Sequence, residues 1–386
     1  MSVMTQKKIQ VVIFFALMMV AVLVSCTREK DILIGFAGQL TGVYSDLGVH
    51  GRNGATLAVE EINAGGGVAG KQLRLIPEDD GNTPEKARQA VKKLIQQKVT
   101  AIVGHMTSGQ SLSGLPVAEE AGVVMLSPTT STPALTGKKD MFFRVQPSTV
   151  YTAESLGRFA AEKLNLSQVS TVRDMDNDAY TAPFNRHFIQ HFVEGGGRVA
   201  ATCTFSSQAS GNWAEVLACL QLKNVRGVLI MASARDLVSM IQAMGTSGTD
   251  QVLLSSGWAA NQEMLSQGGR TVEGLYLART GFILEHDVMY TAFKSRYQNR
   301  FGRAPSFAAE QGYHALQVLA RGLRQTGGNS LGLPRALSGI TDFPSFYGTL
   351  HLDRYGDAHL PVRILQIRNG QFEHQWTAEP ENENKK

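Results

Sequence analysis

The sequence predicts an α/β protein of two parallel-sheet lobes with a cleft between them, and three observations carry that prediction. One pattern occurs twice. Gly65-Gly66-Gly67 closes a helical stretch, residues 72–76 read as a strand, a helical segment follows, and the apolar run 101–103 comes next. Later, Gly195-Gly196-Gly197 closes a second helical stretch, ahead of a strand at 198–205, a helix, and an apolar run at 227–230. The runs 101–103 and 123–126 are too apolar to face solvent, which is the habit of parallel strands covered on both faces. The chain of 386 residues also exceeds one compact core of typical size and fits two domains. Two lobes of this kind enclose a cleft, and a cleft is where function would sit.

The elements follow in order. Residues 32–36 form a short apolar strand, and Ala55, Ala58, Val59 and Ile62 then fall on one face of a helix. Thr83 can cap a helix whose first residue is Pro84, with Ala87, Ala90, Val91, Leu94 and Ile95 on its apolar face. A helix over 109–121 separates the strands at 101–103 and 123–126, and 141–145 closes the first series. The second series starts with a strand at 169–172 and a helix over 180–194. Strands at 198–205, 227–230 and 251–255 alternate with helices at 212–222 and 235–245. Two further helices, 290–301 and 306–326, precede late strands near 348–352 and 364–367. These late elements have to join the existing sheets, so the chain crosses between lobes more than once.

The first residues indicate where the protein works. Lys7 and Lys8 precede an uncharged apolar run, 11–24, that is too short for a membrane-spanning helix of about 20 residues. A basic start and a short apolar core read as an export signal. The run ends Leu23-Val24-Ser25-Cys26, which resembles a bacterial lipobox, so residues 1–25 are expected to be removed and Cys26 to be lipidated. Acyl chains would then anchor the exported chain at about 0.8 kcal/mol per buried CH₂.

Loss of Lys7 and Lys8 lowers the formal charge from +4 to +2, too weak and dispersed for a nucleic-acid partner. Cys203 and Cys219 remain, and export favours pairing them over keeping two buried thiols. A bond across a loop of that length contributes about 3 kcal/mol when unstrained.

Ligands of open α/β sheets bind beyond the carboxyl ends of strands. Two such ends carry small hydroxyls. Gly104-His105-Met106-Thr107-Ser108 runs into a helix, where free N–H groups favour an anion such as a carboxylate. Ser127-Pro128-Thr129-Thr130-Ser131 is the second.

At this point the chain resembles a periplasmic binding protein of the leucine/isoleucine/valine-binding type, the substrate-binding component of ABC importers. The carriers are Ile34-Gly35, Leu40-Thr41-Gly42, Asn53-Gly54-Ala55, Glu61-Ile62-Asn63-Ala64-Gly65-Gly66, Asp79-Asp80, Val103-Gly104-His105, Ser127-Pro128 and Phe143-Arg144, in order and in spacing. The resemblance implies the type I periplasmic binding protein fold, with two Rossmann-like lobes joined by a three-crossover hinge. The crossovers would fall near Gln146-Pro147, 277–283 and 348–350. That division gives a first lobe of 31–147 plus 278–348, a second of 148–277 plus 349–376, and a flexible tail, 377–386.

The resemblance also implies ligand contacts. Ser108 stands where amino-acid-binding members place a carboxylate-binding serine, Thr129 where they use a backbone carbonyl, and Ser131 where they use a hydroxyl and amide. Tyr180 matches a cleft tyrosine of the second lobe. Other positions depart from the pattern. The acid that holds an ammonium group is missing from Ser256-Gly257-Trp258-Ala259, an aromatic position is taken by Ser233, and another by Leu47, with Tyr44 nearby. Trp258 is expected as an apolar wall or cation–π face, and Glu310, Asp176 or Asp178 as a replacement acid.

Several motifs mislead. Gly65–Gly70 matches G-x-G-x-x-G, but it ends a helix and opens a strand, the reverse of a dinucleotide fingerprint. Gly328-Asn329-Ser330-Leu331-Gly332 matches a nucleophile elbow without the strand that must precede it. His187 and His191 lack a metalloprotease-type glutamate, and Asp174, Asp176 and Asp178 lack the glycine and glutamate of a calcium loop. The expectation is therefore a monomeric, lipid-anchored, non-enzymatic protein of the bacterial envelope, without cofactor or metal. It would bind an amino acid or related small carboxylate and deliver it to ABC permease subunits. The alternative is a regulatory lipoprotein of the same fold with a vestigial cleft.

Overall fold

A computed structural model describes residues 30–42, 44–209, 213–245, 251–280 and 287–378. The export signal, Cys26 and residues 379–386 lie outside the described residues. The first sheet holds five parallel strands in the order β2-β1-β3-β4-β5. They are β1 (Ile32–Gly38), β2 (Leu73–Asp79), β3 (Ala101–Gly104), β4 (Val124–Ser127) and β5 (Phe142–Arg144). Their side chains alternate between two cores, as a pleated strand requires. Ala101 and Val103 join the cluster formed with helices Ser45–Ala64 and Phe307–Gln325, whereas Ile102 joins Val91, Leu94 and Leu115 on the other face.

The second sheet runs β15-β14-β10-β9-β8-β6-β7. Its parallel strands are β6 (Gln168–Asp174), β7 (Arg198–Phe205), β8 (Gly227–Met231), β9 (Val252–Ser256) and β10 (Tyr276–Thr280). Beyond a small antiparallel sheet of β11 (Phe343–Ser345), β12 (Gly348–Leu352) and β13 (Ala358–His359), the antiparallel β14 (Val362–Arg368) and β15 (Gln371–Ala378) complete it. Cys203 on β7 is bonded to Cys219 on the helix Trp213–Leu220.

The repeated glycine turn shares its closing hydrogen bond and its central glycine conformation in both lobes. The N–H of Gly67 reaches back to the Ile62 carbonyl at 2.8 Å, and that of Gly197 to the Phe192 carbonyl at 3.0 Å. Gly66 and Gly196 take φ of 97° and 91°, a region that a Cβ disfavours. Each turn then feeds a strand, which excludes the dinucleotide reading of Gly65–Gly70 on structural grounds.

Two expected lobe boundaries shift. β10 stays in the second sheet through Thr280, so residues 278–280 belong there; residues 281–286 lie outside the described residues. The last change of lobe is not at 348–350. Leu350, Leu352, Ala358 and Leu360 complete the first lobe's core, and Val362 and Ile364 enter the second's. The reason is a buried charge. Arg144, at the end of β5, is fully buried and pairs with Asp357 at 2.7 Å. It also donates to the Thr132 carbonyl at 3.0 Å and to Thr136 Oγ1 at 2.7 Å. Asp357 accepts from the Gly137 N–H as well, at 2.7 Å, which fastens this segment to the first lobe. At the C-terminus β15 continues to Ala378, two residues into the expected tail.

Removing one partner of such a pair strands the other charge in the core. Asp357→Ala is expected to cost about 3–5 kcal/mol, measured by urea unfolding of the mature chain.

Candidate functional site

Strand ends from both lobes face each other across one cavity. Ser108 and Thr129 to Ser131 follow β3 and β4 of the first sheet, whereas Asn177, Trp258 and Thr280 come from the ends of β6, β9 and β10 of the second. The cavity holds about 70 Å³ of space that the centre of a water molecule can occupy. Ser108, Thr129, Ser131, Tyr180 and Trp258 all line it.

The first-lobe wall is braced by its own hydroxyls. Ser127 Oγ donates to the His105 carbonyl at 2.6 Å, and the Thr130 N–H donates to Ser127 Oγ at 3.0 Å. Thr130 and Ser111 share a hydrogen bond of 2.7 Å, and Thr129 Oγ1 donates to the Met106 carbonyl at 2.5 Å. These bonds fix both loops and leave Ser108 and Ser131 with no hydroxyl hydrogen bond among the described residues. Ser108 is the first residue of its helix rather than its cap, and Thr107 before it makes no side-chain cap bond. The first-turn N–H groups therefore lack an acceptor within the helix.

The second-lobe wall is aromatic. Tyr180 and Trp258 meet edge to face, with centroids 5.9 Å apart. Burial pushes the Tyr180 phenol up to about 12, so it stays protonated. Tyr44 of the first lobe contacts the same indole at 5.5 Å, so three rings cross the cleft. Tyr44 also donates to Asp174 Oδ2 at 2.6 Å, joining the lobes at the cavity's rim. Burial, and then the Asp174 charge, hold the Tyr44 phenol above its ordinary value. The Asp174 carboxyl is itself raised by burial.

The remaining expected residues lie elsewhere. Ser233 caps the helix Ala234–Met244, accepting from the Asp236 N–H at 3.3 Å and donating to Asp236 Oδ2 at 2.8 Å. It is not on the cavity wall. Glu310 is not a cavity acid either, because its carboxylate is engaged by protein donors. Arg279 Nη2 lies 2.6 Å from it, Tyr290 donates at 3.1 Å, and the Tyr347 hydroxyl also donates to it. Burial and then the Glu310 charge push both phenols up, so both remain donors. Asp176 accepts from Ser206 Oγ and the Gln208 N–H, each at 2.8 Å, and Asp178 pairs with Arg173. Among the described residues no group of three His, Cys, Asp or Glu could hold a metal ion, and His187 and His191 both face Glu154.

Sequence reasoning missed the cavity's floor and its cation. Gln146 donates to Thr280 Oγ1 at 2.6 Å and accepts from Gln311 Nε2 at 2.8 Å, and all three line the cavity. Arg279 lines it as well. Gln146 and Arg279 lie in segments expected as crossovers, and crossovers border a cleft; that placement was the available signal.

A family model described as periplasmic binding protein matches residues 31–371. The chain belongs to this family. Its members are solute-binding proteins of importers and are exported. A relative from Pseudomonas aeruginosa, the leucine-, isoleucine-, valine-, threonine-, and alanine-binding protein, is 25% identical over 350 residues, covering 89% of this chain and 91% of its own. Two solved structures share the fold. A leucine binding protein from Thermotoga maritima superposes with a TM-score of 0.82 at 24% identity, covering 90% of this chain and 99% of its own. An ABC transporter solute binding protein from R. palustris in complex with benzoate also gives 0.82, at 21% identity, covering 91% and 97%.

The Tyr44–Asp174 bond joins different lobes, so any parting of the lobes would have to break it. A hydrogen bond to a charged group contributes about 1.5–3 kcal/mol. Tyr44→Phe is expected to weaken ligand binding tenfold or more while leaving the unliganded melting temperature near wild type, as calorimetry and thermal unfolding would read.

Proposed function

We propose that this chain is the substrate-binding component of an ABC importer and closes its lobes on an amino acid or related small carboxylate. The observation that carries this reading is a pair of unengaged hydroxyls inside the interlobe cavity, Ser108 at an uncapped helix start and Ser131 on the loop after β4. Hydroxyls and N–H groups converging at a helix N-terminus suit a carboxylate. The relatives support it: one is named for binding amino acids and another is in complex with benzoate, and both ligand types carry a carboxylate.

The ligand first meets the open first lobe. Rotation about the hinge then brings Tyr180 and Trp258 over it and forms the Tyr44–Asp174 bond. A ligand that favours the closed state by about 4 kcal/mol shifts the equilibrium roughly a thousandfold. The closed monomer presents a joint surface of both lobes to the permease subunits, and a lipid on Cys26 keeps it at the membrane. Binding and release account for the task, with no catalytic step.

Ser108→Ala is expected to weaken binding about tenfold or more, measured by a thermal-shift screen of the mature chain against amino acids, amides and small carboxylates, followed by calorimetry. Absence of any shift throughout the screen would contradict the reading. Separately, Cys26→Ser is expected to move the protein from the membrane fraction to the soluble one and to abolish palmitate labelling. Retention of both would refute the lipid anchor.

A further inference from the structure

The cavity suits a carboxylate at one end and offers no countercharge for a second, positive group. Among the described residues that line it, none is an aspartate or a glutamate, and the one ionic side chain is the cation Arg279. The acids nearby are saturated by the protein. Glu310 faces Arg279, Tyr290 and Tyr347. Asp174 uses Oδ1 for the N–H groups of Asp176 and Ser207, at 3.0 and 3.3 Å, and Oδ2 for the hydroxyls of Tyr44 and Ser207.

We infer that the ligand is a small carboxylate with an apolar body and no ammonium group. This inference rests on the reading of Ser108 and Ser131 as a carboxylate site. An ammonium enclosed here would lose its hydration shell without meeting an anion, and burying an unpaired charge is costly. A keto oxygen or a bare methylene at the same position requires no anion, and the donors of Arg279 and Tyr180 can serve the oxygen. Leu47, Met106, Phe307 and Trp258 supply apolar walls for a branched aliphatic or aromatic body.

Matched ligands that differ in the amino group test this directly. Isothermal titration of the full mature chain would compare L-leucine with 4-methylpentanoate and 4-methyl-2-oxopentanoate, and L-phenylalanine with 3-phenylpropanoate. The deaminated acids are expected to bind at least tenfold tighter than their amino acids, with Ser108→Ala weakening them. Amino acids that bind as well or better, and still respond to Ser108→Ala, would overturn the inference while leaving the carboxylate site in place. Binding that ignores Ser108→Ala, or no heat from any acid of either series, would overturn the carboxylate site and the inference with it.

Discussion

The pair formed by the buried Glu310 and the largely covered Arg279 is the interaction on which the rest of the cleft depends. Arg279 sits on β10 of the second sheet, and Glu310 on the helix Phe307–Gln325 that packs in the first lobe. Two charges taken out of water need close geometry and further hydrogen bonds to offset desolvation. Tyr347 supplies one to each partner, accepting from Arg279 Nη2 at 3.0 Å and donating to Glu310, and Tyr290 supplies another to the carboxylate. Tyr347 lies between β11 and β12, so one cluster binds the second crossover to the segment that leads into the third. The same cluster decides the cavity's charge. It withdraws Glu310, one of the three acids that sequence reasoning had offered as an anchor, and leaves its paired arginine at the wall.

Hinge and rim differ in kind. Interactions near the crossovers, such as Gln146 with Thr280 and Gln311, join residues that would stay close under the proposed rotation of the lobes. The Tyr44–Asp174 bond and the Tyr44–Trp258 contact span the other side of the cavity and would have to break in the proposed opening. A strong hinge with a rim of a few contacts lets a ligand of modest size set the balance between states, since it acts only through its differential affinity.

Much of this was legible in the sequence where local pattern decides structure. Ser108 and Ser131 follow short buried strands, and the strand–helix alternation alone sends those ends to a cleft. Trp258 could be placed in the same way, after β9. Glu310 failed on partners distant in the chain, whereas Ser233 failed on a capping partner only three residues on. Glu310 looks free until Arg279 and Tyr347 are brought beside it, and Ser233 looks like a cleft residue until Asp236 shows it to be a cap. The last lobe boundary was misplaced for a related reason. Only the folded chain brings Asp357 to Arg144, across more than half its length, and that pair holds residues 349–360 in the first lobe.

The ring stack across the cleft has an optical consequence. The chain has three tryptophans. Trp213 packs on Phe205 and bonds to Ser239, and Trp376 packs on Phe159, all within the second lobe, so their surroundings survive a hinge rotation. Among the described residues, Trp258 alone of the three has an aromatic neighbour from each lobe, Tyr44 and Tyr180. In the proposed opening its indole would exchange the Tyr44 ring for water. Under the proposed closure, the change in tryptophan emission would come from this one residue, which would serve as a built-in fluorescent gauge of whether the cleft is open or shut.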